Sequence, residues 1–206
     1  MNPAVHPADD LFSGHRVMAI LRDLPLAETL RLARTAWDLG IELIEVPIGS
    51  TDAVPVLQAV LAEGHERGLP VGAGTVTRPE QLEVCTRLGV AFCVAPGLDP
   101  QIASGATERG IAHLPGVATA SEIQSATRLG CTWLKAFPAD ALGRRWFRAM
   151  AAGPFPDVSF VATGGMDADT APDYLRAGAA MVAVGSALGE PDQVERLAAL
   201  VAADRR

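Results

Sequence analysis

Lys135 is the residue of this chain whose type and surroundings most clearly suggest covalent chemistry. It is the only lysine, since every other member of the 17 Lys and Arg residues is arginine. Its neighbours Trp133, Leu134 and Phe137 would remove hydration from an ammonium, which lowers its pKa. A neutral amine, unlike a guanidinium, attacks carbonyl carbons and forms a Schiff base. The alternative is a lysine whose head group reaches solvent at a strand end.

Glu45 is the second candidate for chemistry. It ends an apolar run, and strand alternation places Leu43 and Glu45 on one face and Glu42 and Ile44 on the other. If that face points inward, the carboxylate lies near Lys135 and can carry the protons that carbonyl–amine chemistry requires. The alternative is a structural ion pair with Arg22.

Small residues and one arginine indicate a site for an anion. Gly164-Gly165 and Gly185-Ser186 each follow a predicted strand, where glycine lets backbone N–H groups approach an anion. Tight turns are the alternative reading of these glycines. Arg22 follows the first strand and could bind a carboxylate through two hydrogen bonds. A surface arginine without a ligand is the alternative there.

The elements that must position these residues repeat along the chain. Glycines follow predicted helices at intervals of about 20–28 residues, the length of one strand–helix unit. Helices are predicted at 26–39, from Pro79 onwards, and at 192–203. Apolar runs typical of strands fall between the helices. The eight predicted strands are 17–21, 43–46, 70–74, 92–95, 112–114, 132–136, 159–162 and 181–184.

Eight alternating units predict a single-domain α/β fold, a (β/α)8 TIM barrel over residues 1–206 with a short N-terminal extension at 1–15. An open, doubly wound sheet is the alternative. That fold usually carries a glycine-rich turn after its first strand, where this chain has Arg22-Asp23-Leu24-Pro25. In a barrel, the carboxyl ends of the strands meet and form the site.

Composition restricts the function classes. The net charge of -7 and pI near 5.0 argue against nucleic-acid and anionic-membrane partners. Met1 to Asp10 does not resemble a signal peptide, and no membrane span is apparent. Cys85, Cys93 and Cys131 lack metal-ligand spacing and are typical of reduced thiols in a cytoplasmic protein. No cluster suggests a metal site, and His113 is expected to be packed within its strand.

A set of short motifs then resembles one known family, in order and across nearly the whole chain. The family is that of the 2-keto-3-deoxy-6-phosphogluconate (KDPG) and 4-hydroxy-2-oxoglutarate (KHG) aldolases. The motifs that carry the resemblance are Glu45-Val46-Pro47, Gly72-Ala73-Gly74-Thr75-Val76, Ala95-Pro96-Gly97-Leu98, Leu134-Lys135-Ala136-Phe137-Pro138-Ala139, Gly153-Pro154-Phe155-Pro156, Thr163-Gly164-Gly165 and Val184-Gly185-Ser186-Ala187.

The resemblance implies a homotrimeric class I aldolase on a (β/α)8 barrel. It makes Lys135 the Schiff-base lysine and Glu45 the general acid and base. Thr75 and Arg22 would hold the carboxylate end of the substrate. The remaining expected substrate-binding residues are Pro96, Phe137 and Thr163 at their strand ends, and Gly164, Gly165, Gly185 and Ser186 around the phosphate.

The expected reaction is therefore cleavage of KDPG, or a close 4-hydroxy-2-keto acid, to pyruvate and glyceraldehyde 3-phosphate, without metal or organic cofactor. The substrate is expected to be phosphorylated, and the protein cytoplasmic. Galactonate-derived and unphosphorylated keto acids remain open. Two alternatives belong to other classes: a phosphosugar isomerase or epimerase in which Lys135 only stabilises charge, and a non-catalytic phosphosugar-binding protein.

Overall fold

Strands and helices alternate along the chain, and every strand pairs in parallel with its neighbours. The computed structural model describes residues 7–204. Its nine strands form one sheet in the order β5-β4-β3-β2-β1-β9-β8-β7-β6. This arrangement is a (β/α)8 barrel, which confirms the predicted fold. The strands are β1 Val17–Ile20, β2 Leu43–Pro47, β3 Val71–Gly74, β4 Phe92–Val94, β5 Ala112–Leu114, β6 Gly116–Val117, β7 Trp133–Ala136, β8 Ser159–Thr163 and β9 Met181–Val184.

The predicted count of eight strands becomes nine because the fifth strand is divided at Pro115. Proline has no N–H to donate to a neighbouring strand, so the ladder changes partner there. Before the proline, β5 pairs with β4, and after it β6 pairs with β7. The Pro115 carbonyl still accepts a hydrogen bond from the Lys135 N–H at 2.9 Å. The two ends of the sheet therefore meet at one short segment, which closes the barrel.

Helices cover the outside of the barrel at nearly the predicted positions. Gly68 and Gly89 end two of them in the left-handed conformation, as predicted for glycine caps. Gly153 also follows a helix, but its backbone is not left-handed. A Cβ there would lie 2.3 Å from the Ala149 carbonyl oxygen, so close packing explains this glycine. The helices are α1 Pro7–Phe12, α2 Leu26–Asp38, α3 Ala53–Arg67, α4 Pro79–Leu88, α5 Pro100–Glu108, α6 Ala120–Arg128, α7 Ala139–Leu142, α8 Arg144–Ala151, α9 Ala171–Arg176 and α10 Pro191–Asp204, with a 3-10 turn at Ser186–Gly189.

Alternation along each strand sends side chains to two separate cores. On β2, Leu43 belongs to the cluster inside the barrel, whereas Ile44 and Val46 pack in the layer between strands and helices. On β7, Trp133 belongs to the inner cluster and Leu134 to the outer one. Because side chains two residues apart share a face, Glu45 and Lys135 point into the barrel.

Helix α1 closes the amino-terminal end of the barrel. Its Phe12 is fully buried and contacts Phe92 and Trp133, with ring centroids 5.4 and 5.6 Å apart. The Asp9 carboxylate accepts hydrogen bonds from Thr132 Oγ1 at 2.8 Å and from Trp133 Nε1 at 3.0 Å. Residues 1–6 of the predicted extension lie outside the described residues. Residues Pro7–Phe12 of that extension form α1, which contributes Ala8 and Phe12 to the inner core.

Two other expectations concern the chain as a whole. Within residues 7–204, no helix combines the length and the apolar character that crossing a bilayer requires. Cys85, Cys93 and Cys131 are all buried and free, as expected for thiols that serve as small core residues.

The packing of α1 predicts that Phe12→Ala lowers the free energy of unfolding by about 3–5 kcal/mol, the usual cost of removing a buried aromatic ring. Urea denaturation measures this change. Leu26→Ala is the matched control, since Leu26 is 46% exposed and its loss should change stability by less than about 0.5 kcal/mol. Equal effects of the two substitutions would contradict a core role for α1.

Candidate active site

A cavity of about 790 Å³ opens at the carboxyl ends of the strands. The predicted site residues converge on it, although Glu45 does not line its wall. Strands β7 and β8 supply Lys135 and Thr163, and the loops after β1, β3, β4, β7, β8 and β9 supply the others, as the barrel architecture requires. The predicted residues that line the cavity are Arg22, Thr75, Pro96, Lys135, Phe137, Thr163, Gly164, Gly165, Gly185 and Ser186.

Sequence reasoning missed part of the wall. Ile20 and Ala183 are inward-facing strand residues, so continuing the strand alternation would have found them. Leu32 comes from the middle of α2, and no local pattern indicates that it reaches the cavity. The wall residues that were not predicted are Ile20, Leu24, Glu28, Leu32, Met166, Asp167, Ala183 and Gly189.

Lys135 lies inside the barrel with 3% of its surface exposed. Its Nζ is 5.1 Å from the centroid of the Phe137 ring. Burial lowers the pKa of Lys135 from its usual 10.5, the charge of Glu45 raises it, and the charge of Arg22 lowers it again. The predicted desolvation of this amine is therefore present, and the neutral form that attacks a carbonyl becomes more accessible.

Glu45 is 1% exposed, and its Oε1 has no hydrogen-bond partner. Among the described ion pairs, none brings Arg22 or Lys135 within 4.0 Å of this carboxylate. The alternative of a structural ion pair with Arg22 is therefore not observed. Burial raises the pKa of Glu45 above 4.5, while the charges of Lys135 and Arg22 lower it. A carboxyl group with a raised pKa is suited to both accepting and releasing protons.

Gly74 provides the space that Glu45 occupies. A Cβ at Gly74 would lie 1.9 Å from Glu45 Oε1, a distance that no real side chain tolerates. Strands β2 and β3 are adjacent, with Glu45 paired to Gly72. Gly74 therefore leaves the carboxylate room next to the strand backbone, whereas a Cβ at Gly72 would meet the Phe92 ring at 2.3 Å.

Arg22 and Lys135 are the only cations among the described residues that line the cavity. Two carboxylates also line it, but each is engaged within its own segment. Glu28 pairs with Arg31 at 2.6 Å. Asp167 accepts a hydrogen bond from Thr170 Oγ1 at 2.7 Å. An anionic group entering the cavity would therefore be attracted mainly towards Arg22 and Lys135.

The part of the cavity wall between Arg22 and Lys135 consists of the loops after β8 and β9, because these two strands lie between β1 and β7. Gly164 and Gly165 have φ of 101° and 69°, which side chains rarely adopt. A Cβ at Gly165 would lie 2.7 Å from the Asp140 Cβ, so packing also requires glycine. Thr163 is 4% exposed, and its Oγ1 has no partner. These groups form a small polar region that could accept an anion through backbone N–H groups.

His113 is packed, as expected. It is 3% exposed, and its Nδ1 lies 3.2 Å from both the Cys93 carbonyl oxygen and the Cys93 Sγ. Burial lowers the pKa of His113 to about 4, against the opposing effect of the Cys93 carbonyl. Within the part of the chain that the structure describes, no group of three His, Cys, Asp or Glu side chains could hold a metal ion.

Comparisons with known proteins identify one enzyme family. The family model of the KDPG and KHG aldolases matches residues 9–201. A 2-dehydro-3-deoxy-phosphogluconate aldolase from Pseudoalteromonas atlantica is 32% identical over 91% of this chain and 86% of its own. A 2-dehydro-3-deoxy-6-phosphogalactonate aldolase from Escherichia coli is also 32% identical, over 91% of both chains.

A solved structure gives a further comparison. KDPG aldolase from Legionella pneumophila, with pyruvate captured as a covalent carbinolamine intermediate, superimposes with a TM-score of 0.79. It is 26% identical and is matched over 96% of this chain and 95% of its own.

The electrostatics of Lys135 predict opposite effects of two substitutions on its titration. Glu45→Gln removes a charge that raises the pKa of Lys135, so the pKa should fall further below 10.5. Arg22→Gln removes a charge that lowers it, so the pKa should rise. The pH dependence of competitive acetylation, read by peptide mass spectrometry, measures both, because no other lysine reacts.

Arg87→Gln is the control for the labelling series, since Arg87 is exposed on the outer helix α4. It should leave the titration of Lys135 unchanged. A wild-type pKa of Lys135 at or above 10.5 would contradict the described electrostatics. So would changes of the same sign in the Lys135 pKa of Glu45→Gln and Arg22→Gln.

Proposed function

The chain belongs to the KDPG and KHG aldolase family, and we propose that it cleaves a 4-hydroxy-2-keto acid through a Schiff base on Lys135. Members named in this way are aldehyde-lyases, so the protein is a carbon–carbon lyase. The observation that carries the mechanism is the chain's only lysine, buried inside the barrel at the wall of the cavity. The carbinolamine in the Legionella relative supports the same chemistry.

Lys135 begins the reaction as a neutral amine. Its nitrogen attacks the C2 keto carbon and forms a carbinolamine, which loses water to give an iminium ion. The iminium accepts the electron pair released when the C3–C4 bond breaks. The desolvation that lowers the pKa of Lys135 supports this role, because a protonated amine cannot attack.

Glu45 moves the protons. As the C3–C4 bond breaks, its carboxylate accepts the proton of the C4 hydroxyl, directly or through a water, and the aldehyde leaves. The enamine that remains on Lys135 is protonated at C3, and hydrolysis of the resulting iminium releases pyruvate. The balanced products from KDPG are pyruvate and glyceraldehyde 3-phosphate, and no metal or organic cofactor takes part in any step.

The rest of the cavity orients the substrate. Arg22 and Thr75 hold the carboxylate, and Pro96 and Phe137 contact the apolar part of the keto acid. Thr163 contributes its unpartnered hydroxyl. The loops with Gly164, Gly165, Gly185 and Ser186 take the phosphate.

KDPG is the proposed substrate, and its galactonate-derived counterpart is the second candidate because the Escherichia coli relative is named for it. We also propose that the enzyme is a homotrimer, as the family resemblance implies. The three free, buried thiols support the proposal that it works in the cytoplasm.

Borohydride reduction in the presence of pyruvate tests the Schiff base. We expect one stable adduct per chain, on Lys135, located by peptide mass spectrometry. Lys135→Arg keeps the charge and removes the nucleophile, so it should abolish both the adduct and turnover while circular dichroism stays unchanged. The amino-terminal amine is the internal control. An unlabelled protein, or label only at the amino terminus, would overturn the mechanism and favour an isomerase or a binding protein.

Glu45→Gln separates a proton-transfer role from a structural one. The amide neither accepts nor releases a proton, and general acid–base groups contribute about 10²–10⁴-fold to rate. We expect kcat to fall by an amount in this range, with a smaller change in KM. Single-turnover kinetics on the folded variant measure the loss. Retention of more than about half of wild-type turnover would remove Glu45 from catalysis.

A further inference from the structure

Gln81 is a buried amide beside the cavity that the proposed mechanism does not use. It is the third residue of α4, is 6% exposed and does not line the cavity. Buried amides are uncommon unless their hydrogen-bonding groups are satisfied. The contacts of this side chain therefore indicate what it is needed for.

Both the oxygen and the nitrogen of its carboxamide form hydrogen bonds. Oε1 accepts hydrogen bonds from the N–H groups of Thr77 at 2.8 Å and Arg78 at 3.0 Å. Nε2 donates to the carbonyl oxygens of Ile48 at 2.8 Å and Thr75 at 3.1 Å. The oxygen caps the start of α4, whereas the nitrogen joins the loop after β2 to the loop after β3.

The two joined loops follow β2, which carries Glu45, and β3, which leads to Thr75. Ile48 follows Glu45 by three residues, and its own N–H donates to the Gly74 carbonyl at 2.8 Å. Thr75 lines the cavity directly. One buried side chain thus connects the backbone that leaves Glu45 with the backbone of Thr75.

Thr75 needs such support because its backbone is strained. Its φ is 58°, in the left-handed region, which is a clear outlier for a β-branched residue. Such a conformation is energetically unfavourable and persists only where surrounding contacts fix it. Gln81 holds the Thr75 carbonyl, and the N–H of the following Val76 donates to the Val94 carbonyl at 3.0 Å.

We propose that Gln81 is a positioning residue for substrate binding, acting through the Ile48 and Thr75 carbonyls to hold the Thr75 side chain towards the cavity. It touches neither substrate nor the reacting atoms. The kinetic part of this inference rests on the proposed aldolase function.

Gln81→Glu removes the two donated hydrogen bonds and keeps an oxygen for the α4 cap. We expect kcat/KM for cleavage to fall by about 10- to 100-fold, since a displacement near 1 Å can have such an effect. Gln124→Glu, which adds the same charge on the exposed face of α6, should stay within about threefold of wild type. If Gln81→Glu does not fold, Gln81→Met replaces it in the same measurements.

A double-mutant cycle of Gln81→Glu with Thr75→Ala tests whether Gln81 affects kcat/KM through Thr75. If Gln81 acts through Thr75, the double variant should lose little more kcat/KM than the worse single variant. Threonine methyl NMR gives a readout independent of catalysis. The chemical shift of the Thr75 methyl group should change in Gln81→Glu and remain unchanged in Gln124→Glu. A wild type without cleavage activity would refute the proposed function, while NMR would still decide the positioning role.

A purely structural Gln81 gives a different pattern. The variant would then melt at a lower temperature and keep kcat/KM within about threefold of wild type, with an unmoved Thr75 signal. That result, or additive losses in the cycle, would overturn the proposal.

Discussion

The desolvation of one amine and one carboxyl group inside an apolar barrel is the constraint on which this structure depends. Lys135 and Glu45 are both nearly inaccessible, and among the described residues neither has an ion-pair partner within 4.0 Å. Burial favours the neutral form of each group. Burial thereby moves the pKa of the carboxyl group up and that of the amine down, so the two values shift towards each other.

The glycines of the barrel follow from this constraint. Gly74 leaves space for the Glu45 carboxylate, and a Cβ at Gly116 would lie 2.1 Å from the Pro96 carbonyl oxygen. Gly116 is also the strand neighbour of Lys135. At Gly74 and Gly116, the strands next to Glu45 and Lys135 therefore have no space for a side chain. Larger residues at these positions would move Glu45 or separate the loops that border the cavity.

Much of this arrangement could be predicted from the sequence because it depends on local periodicity. Alternation on β2 groups Leu43 with Glu45, and the predicted parallel barrel brings the strand ends together. The structure adds that this face is the inner one. The features that escaped prediction depend on distant contacts. Helix α1 looks polar and interrupted by proline, yet Phe12 is buried against residues about 80 and 120 positions away. Gln81 lies on an ordinary amphipathic helix, and only the folded loops reveal its partners.

The absence of any second lysine has a consequence for the stability of the enzyme towards its own chemistry. An aldolase releases an aldehyde at every turnover, and aldehydes condense with exposed primary amines. Because the surface cations of this chain are arginines, the amino terminus is its only amine besides the buried Lys135. Lysine is thereby confined to the place where imine formation is productive, and the exterior offers few sites for slow chemical damage by the product.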